Sequence, residues 1–247
     1  DVVTASDVSA YSVSPLGSTP ALAMPMPFDY KTVRLEFIQA FSPGIVYTLT
    51  VRNTLTDCSG NAVGMSNTAR FALPDSALAQ DVIINEILFN PRTYGVDFVE
   101  LYNRSNKVID VSQLELVELD VSDVGRVLEI GAVSAQSFLL FPGQWLAITE
   151  NTDNILQQYT ASNPDMLLSA AIPNFPDDEG ICVLRHRSGT VLDSLHYNSN
   201  WHYALLDVED GVSLERTDYD LSTNNKNNWH SAASAVGFAT PTYLNSQ

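Results

Sequence analysis

The sequence predicts an all-β chain of two tandem β-sandwiches. Three observations carry this reading. Short segments of alternating apolar and polar residues dominate, separated by Gly, Pro, Asn, Asp and Ser. Val, Ile, Leu, Thr and Tyr are frequent, as pleated, half-buried strands require. A helical pattern is credible at one place only. With 247 residues and 45% hydrophobic content, the chain can build one large or two ordinary cored domains and is no disordered acidic tail.

The first unit spans residues 1–74. Its strands are residues 11–13 (YSV), 32–37 (TVRLEF), 45–51 (IVYTLTV) and 70–73 (RFAL). Ser42-Pro43-Gly44 turns the chain, and Asp57 and Asn61 close a tight loop through side-chain to backbone bonds. Residues 75–80 (DSALAQ) lack periodicity and read as a linker. The second unit, 81–247, opens with 82–84 (VII), Asn85-Glu86 and 87–89 (ILF). A turn at Asn90-Pro91 and Gly95 follows, then a strand at 98–102 (FVELY). Later strands are expected at 127–130, 137–140, 145–149, 180–184 and 191–195. Pro142-Gly143 and Ser188-Gly189 are read as hairpin signals. The one helix runs through 155–159, capped by Thr152 or Asp153, and stops before Asn163-Pro164.

Two resemblances follow from these segments. YTLTV, LTDCSGNAV and FALP, over about residues 7–74, resemble bacterial Ig-like domains of surface-layer and secreted proteins. The stretch DVIINEILFNPRTYGVDFVELYNRS (81–105) resembles the opening of a lamin-tail domain, an Ig-like sandwich. The same resemblance continues in order: FPGQWL (141–146), DEG with its strand (178–184), GVSLER (211–216), Asn228-Trp229 and Ala239-Thr240-Pro241 through Asn245-Ser246-Gln247. A glycine usually follows that last proline, and here Thr242 stands there. The resemblance implies a non-catalytic module of a secreted bacterial multidomain protein, a context that includes adhesins and nucleases.

The net charge of −17 is uneven. Residues 1–80 carry 6 acidic and 4 basic side chains, or −2, while residues 81–247 carry 23 and 8, or −15. That sign repels phosphate backbones and argues against nucleic acid as a partner. No run approaches the roughly 20 apolar residues of a membrane span, and a signal peptide is not visible. Cys58 and Cys182 fall in different units and read as isolated thiols.

Glu86 interrupts an apolar run and, if buried, needs a partner; Arg216 is the obvious one. Glu86, Glu100, Glu215 and Arg216 are therefore read as a structural polar set that fixes strand register, with a cation site of carboxylate oxygens as the alternative. His196, Tyr197, Trp201, His202 and Tyr203 fit either the covering of a core end or a ligand platform of rings and polar donors. Asp207, Glu209 and Asp210 are weak calcium candidates that miss the twelve-residue calcium-loop pattern. Asn103-Arg104-Ser105 matches a glycosylation sequon. No nucleophile elbow, phosphate loop or zinc signature occurs. The expectation is a non-enzymatic extracytoplasmic structural or adhesion module, with no cofactor and with a glycan or surface protein as partner. A carbohydrate-binding module and an accessory domain of a secreted hydrolase are the alternatives.

Overall fold

The computed structural model describes residues 1–28 and 30–246; Gln247, which closes the family-like terminal segment, lies outside them. The chain divides into two compact units, Asp1–Pro74 and Asp75–Gln247. Both are built mainly of antiparallel strands with little helix, the β12–β13 pair of the second unit being parallel, as fits an all-β Ig-like sandwich architecture.

In the first unit β1 (Tyr11–Ser14), β4 (Tyr47–Val51) and β5 (Thr68–Phe71) form one sheet, in the order β1-β4-β5. The strands β2 (Leu22–Pro25) and β3 (Val33–Glu36) form a second sheet. Tyr11, Ala10 and Ala23 make a small core with Val33, Leu35, Leu49 and Val51. Phe41 packs edge-on against Phe37, Tyr47 and Phe71, with centroids 4.8 to 5.3 Å apart. The Asp57 carboxylate accepts the N–H groups of Ser59 and Asn61 and the Asn61 amide, so this loop ties itself. A short helix α1 (Val2–Ala5), capped by Asp1, escaped sequence reading because one turn shows no periodicity.

The second unit contains β6 (Val82–Leu88), β7 (Phe98–Asn103), β8 (Ile109–Asp110), β9 (Leu114–Leu119), β10 (Val127–Ala132) and β11 (Leu139–Leu140). Next come β12 (Trp145–Thr149), α2 (Thr152–Gln158), β13 (Leu167–Ser169), β14 (Glu179–His186), β15 (Val191–Asn198), β16 (Leu214–Arg216) and β17 (Trp229–Ser231). A six-stranded sheet in the order β13-β12-β7-β6-β16-β17 faces a four-stranded sheet in the order β10-β9-β14-β15. Between them Ile84, Ile87, Val99 and Leu101 of the first sheet meet Leu116, Cys182, Leu184 and Leu195 of the second. Phe89 fills the end of this core and stacks on Tyr197, with ring centroids 4.3 Å apart. The outer face of the six-stranded sheet is covered by α2, through Ile155 and Tyr159, and by Ala239 of the C-terminal segment.

Three local expectations are corrected. Residues 75–80 are no free linker: the Asp75 N–H donates to Val108 O, Ala77 enters the core, and Gln80 bonds to Leu192 O. Their backbone groups pair irregularly, which leaves no pattern in the residues. Pro142-Gly143 joins strands that pair elsewhere, β11 with β8 and β12 with β7, so it turns the chain without making a hairpin. The cap of α2 is Asn151, whose side chain accepts the Asn154 N–H, rather than Thr152 or Asp153.

Candidate functional site

The most unusual feature is a row of three carboxyls in the middle of the six-stranded sheet. Ile84 and Ile87 both enter the core, although strict alternation would send residues three apart to opposite faces. A β-bulge between Ile84 and Glu86 resolves this, because the extra residue turns both Asn85 and Glu86 away from the inter-sheet core. Glu86 then lies opposite Glu100 on β7 and opposite Glu215 on β16. All three carboxyls are fully buried.

The C-terminal segment closes over them and supplies donors. Thr240 N–H donates to Glu86 Oε1 at 2.9 Å, and Thr242 N–H donates to Glu100 Oε2. Ser246 donates its N–H and its hydroxyl to Glu215 Oε2, at 3.0 and 2.6 Å. Ser213 donates to Glu86, and Asn85 Nδ2 bridges Glu100 Oε1 and Asn245 Oδ1, both at 2.8 Å. The Thr240 hydroxyl lies 2.6 Å from Glu215 Oε1 and 3.2 Å from Glu86 Oε2. One hydroxyl proton cannot serve two carboxylates, so a proton on Glu86 completes the chain by donating to Thr240 Oγ1. Burial, then the neighbouring Glu215, pushes the Glu86 carboxyl up to about 8. Burial and Glu86 hold Glu100 well above the ordinary carboxylate range.

Arg216 does not join this row. It follows Glu215 on the same strand and so points to the other face, into the space between the sheets. There its Nη1 pairs with Asp193 Oδ2 of β15 at 3.2 Å and donates to Ile84 O. Its Nη2 donates to Leu221 O and Thr223 Oγ1, both at 2.9 Å. The expected Glu86–Arg216 pair is thus replaced by an Arg216–Asp193 clamp that ties the two sheets together. Asp193 also accepts from Gln80, Thr223 and the Ile84 N–H. The signal in the sequence was an acid inside the apolar run VLDSL (191–195).

The aromatic loop divides in two. Tyr197 is a core residue: fully buried, it lies over Gly180 and donates to Pro176 O at 2.7 Å. His196 is half exposed and lies 2.8 Å from Glu179 Oε1. Trp201, His202 and Tyr203 instead line a cleft of about 400 Å³ together with Lys226, Trp229 and His230. Tyr203 is 61% exposed and Trp201 half buried. His202 is buried, with Nδ1 2.9 Å from Ser231 Oγ, and its Nε2 has no hydrogen-bond partner among the described residues. Burial lowers that imidazole to about 4, so the ring is neutral at ordinary pH.

Asp207 and Asp210 are exposed on a loop, and Asp210 accepts a 3.3 Å bond from Asn90. They come together with Glu209 in no metal-holding group, and among the described residues no three His, Cys, Asp or Glu side chains do so. Asp97 borders a pocket of about 160 Å³ with Glu150, and burial raises its carboxyl to about 7 while it accepts the Phe175 N–H. The sequon residue Asn103 is fully buried, and its amide donates to Lys107 O and Leu140 O, so a glycan has no access to it. No helix among the described residues is long and apolar enough to cross a membrane.

Comparison with family models agrees with the architecture. The model of the lamin tail domain matches residues 75–199, which is 125 of the 247 residues. The matched stretch is completed by β16, β17 and the C-terminal segment, which lie beyond it. No curated protein matches the chain. Among solved structures, a DUF4876 family protein from Bacteroides thetaiotaomicron is 10% identical, over 86% of this chain and 92% of that one, with a TM-score of 0.42. With the family model matched over more than half its length, the chain belongs to the lamin-tail-domain family.

Proposed function

We propose that this chain is a non-catalytic, extracytoplasmic module of a larger bacterial protein, serving as spacer, scaffold or adhesion element without a cofactor. The observation that carries this is where the ionisable groups sit. Glu86, Glu100, Glu215, Arg216 and Asp193 are shut from water and hydrogen-bonded to the chain itself, so their job is to hold strands in register. What remains for a partner is the loops at the ends of the sandwiches. Incubation of the purified chain with chromogenic glycoside, ester and phosphodiester substrates, with and without divalent metal, is expected to give no turnover. Turnover that survives repurification and is lost in Asp97→Asn would overturn the non-catalytic part. Antibody labelling of intact cells that make the full-length protein checks the location; labelling only after lysis counts against it.

A second reading is supported by the cleft beside Tyr203. Rings and polar donors around a solvent-open hollow are what a glycan platform needs, so the module would hold a saccharide there. Quenching of tryptophan fluorescence by soluble oligosaccharides tests it.

A further inference from the structure

The cleft also carries information about the kind of sugar, an inference that rests on the glycan-binding reading. Residues 81–247 carry 23 acidic and 8 basic side chains, yet among the described residues no carboxylate lines this cleft. Its lining includes Lys226 and His230 beside Trp201, Tyr203 and Trp229. We propose that the cleft takes a carboxylated sugar, a hexuronate unit of a polysaccharide, with Lys226 meeting the carboxylate and Tyr203 offering the ring face.

Lys226 is positioned for this. Its ammonium donates to Asn200 O at 2.8 Å and Asn200 Oδ1 at 3.2 Å, and an ammonium has three donors, so one is left for an anion. Those two bonds hold the head group in place and reduce the ordering cost of binding. The adjoining segments are tied as well: Ser231 Oγ accepts the Tyr203 N–H at 2.9 Å, and Trp229 Nε1 donates to Thr223 O at 2.7 Å. Tyr203 and His230 are exposed and can cover a sugar without rearrangement of the core. His202, nine-tenths buried beside them, keeps one ring nitrogen without a partner among the described residues, a polar atom within the cleft wall. The negative charge elsewhere is screened beyond roughly 8 Å at physiological salt, so the groups lining the cleft decide whether an anion is accepted.

The test uses the full chain in EDTA, with tri-galacturonic acid, its fully methyl-esterified form and a neutral cello-oligosaccharide as probes. Tryptophan fluorescence and a thermal-unfolding control are read for the natural chain, Lys226→Gln, Lys226→Arg and Tyr203→Ala. The acidic trimer is expected to bind at least about tenfold tighter than its ester. Lys226→Gln should lose about that factor, as removal of one charge-assisted bond implies, and Lys226→Arg should keep most of it. Tyr203→Ala should weaken the acid and the ester alike. Equal binding of acid and ester, or no effect of Lys226→Gln, overturns the uronate assignment and leaves the glycan reading standing. No binding of any probe at tens of millimolar removes both. Lys226 and Tyr203 are exposed, so unchanged unfolding midpoints will separate lost binding from lost folding.

Discussion

Glu86 shows how one residue links packing to proton binding. Its carboxyl titrates near 8 when folded, against about 4.3 in an unfolded chain. Between those values the folded state holds more protons, so this group's share of stability is full below about pH 4 and is lost as pH rises toward about 8. Glu86→Gln mimics the protonated form, and the difference in unfolding free energy between the natural chain and this variant should shift in the variant's favour from pH 5 to 8. A difference independent of pH across that window would show that Glu86 does not titrate there. The Arg216–Asp193 clamp obeys a different logic, because removing one partner leaves a buried charge unanswered. Arg216→Met and Asp193→Asn are each expected to cost about 3–5 kcal/mol, and the double variant less than their sum. Urea unfolding of the four proteins measures the coupling, and simple additivity would mean that the pair is not a pair.

At the scale of elements, the C-terminal segment matters more than its lack of regular structure suggests. Residues 240–246 form no strand, yet they donate to all three carboxyls. Thr240→Val keeps the shape and removes the hydroxyl that bridges Glu86 and Glu215. A loss of about 1–3 kcal/mol is expected in denaturant unfolding, as for a buried acceptor left unsatisfied. Faster amide exchange in 238–246 should accompany it. An unchanged midpoint with unchanged exchange would remove the segment from the account of this sheet. The bulge in β6 works with the segment: by turning Asn85 and Glu86 to one side, it creates the polar face that the segment covers.

For the whole molecule, the acidic loops raise the question of a cation. No group among the described residues is built to hold one, and Asp207 and Asp210 lie open to solvent. The thermal midpoint should therefore be the same within about a degree in EDTA and in millimolar calcium, since only a ligand that binds the folded state raises it. A rise of several degrees would assign calcium a structural place in this chain.

The sequence by itself determined the all-β class, most strand positions in both units and the family, because alternation, β-branched residues and Gly- or Pro-marked turns are local signals. It also drew attention to Glu86, Glu100 and Glu215, since acids inside apolar runs are conspicuous, and to Arg216 as the partner expected for Glu86. Only the tertiary structure decided how that set is wired. Partner choice depended on a one-residue bulge at Asn85, which no alternation pattern reveals, and on the opposite facing of Glu215 and Arg216. The same holds for the aromatic loop: Tyr197, Trp201 and Tyr203 are alike in composition, but strand register buries the first under Phe89 while the loop beyond β15 leaves the other two on a cleft. Lys226 joined that cleft from 23 residues further along the chain, a distance over which sequence carries no sense of neighbourhood and only packing brings side chains together.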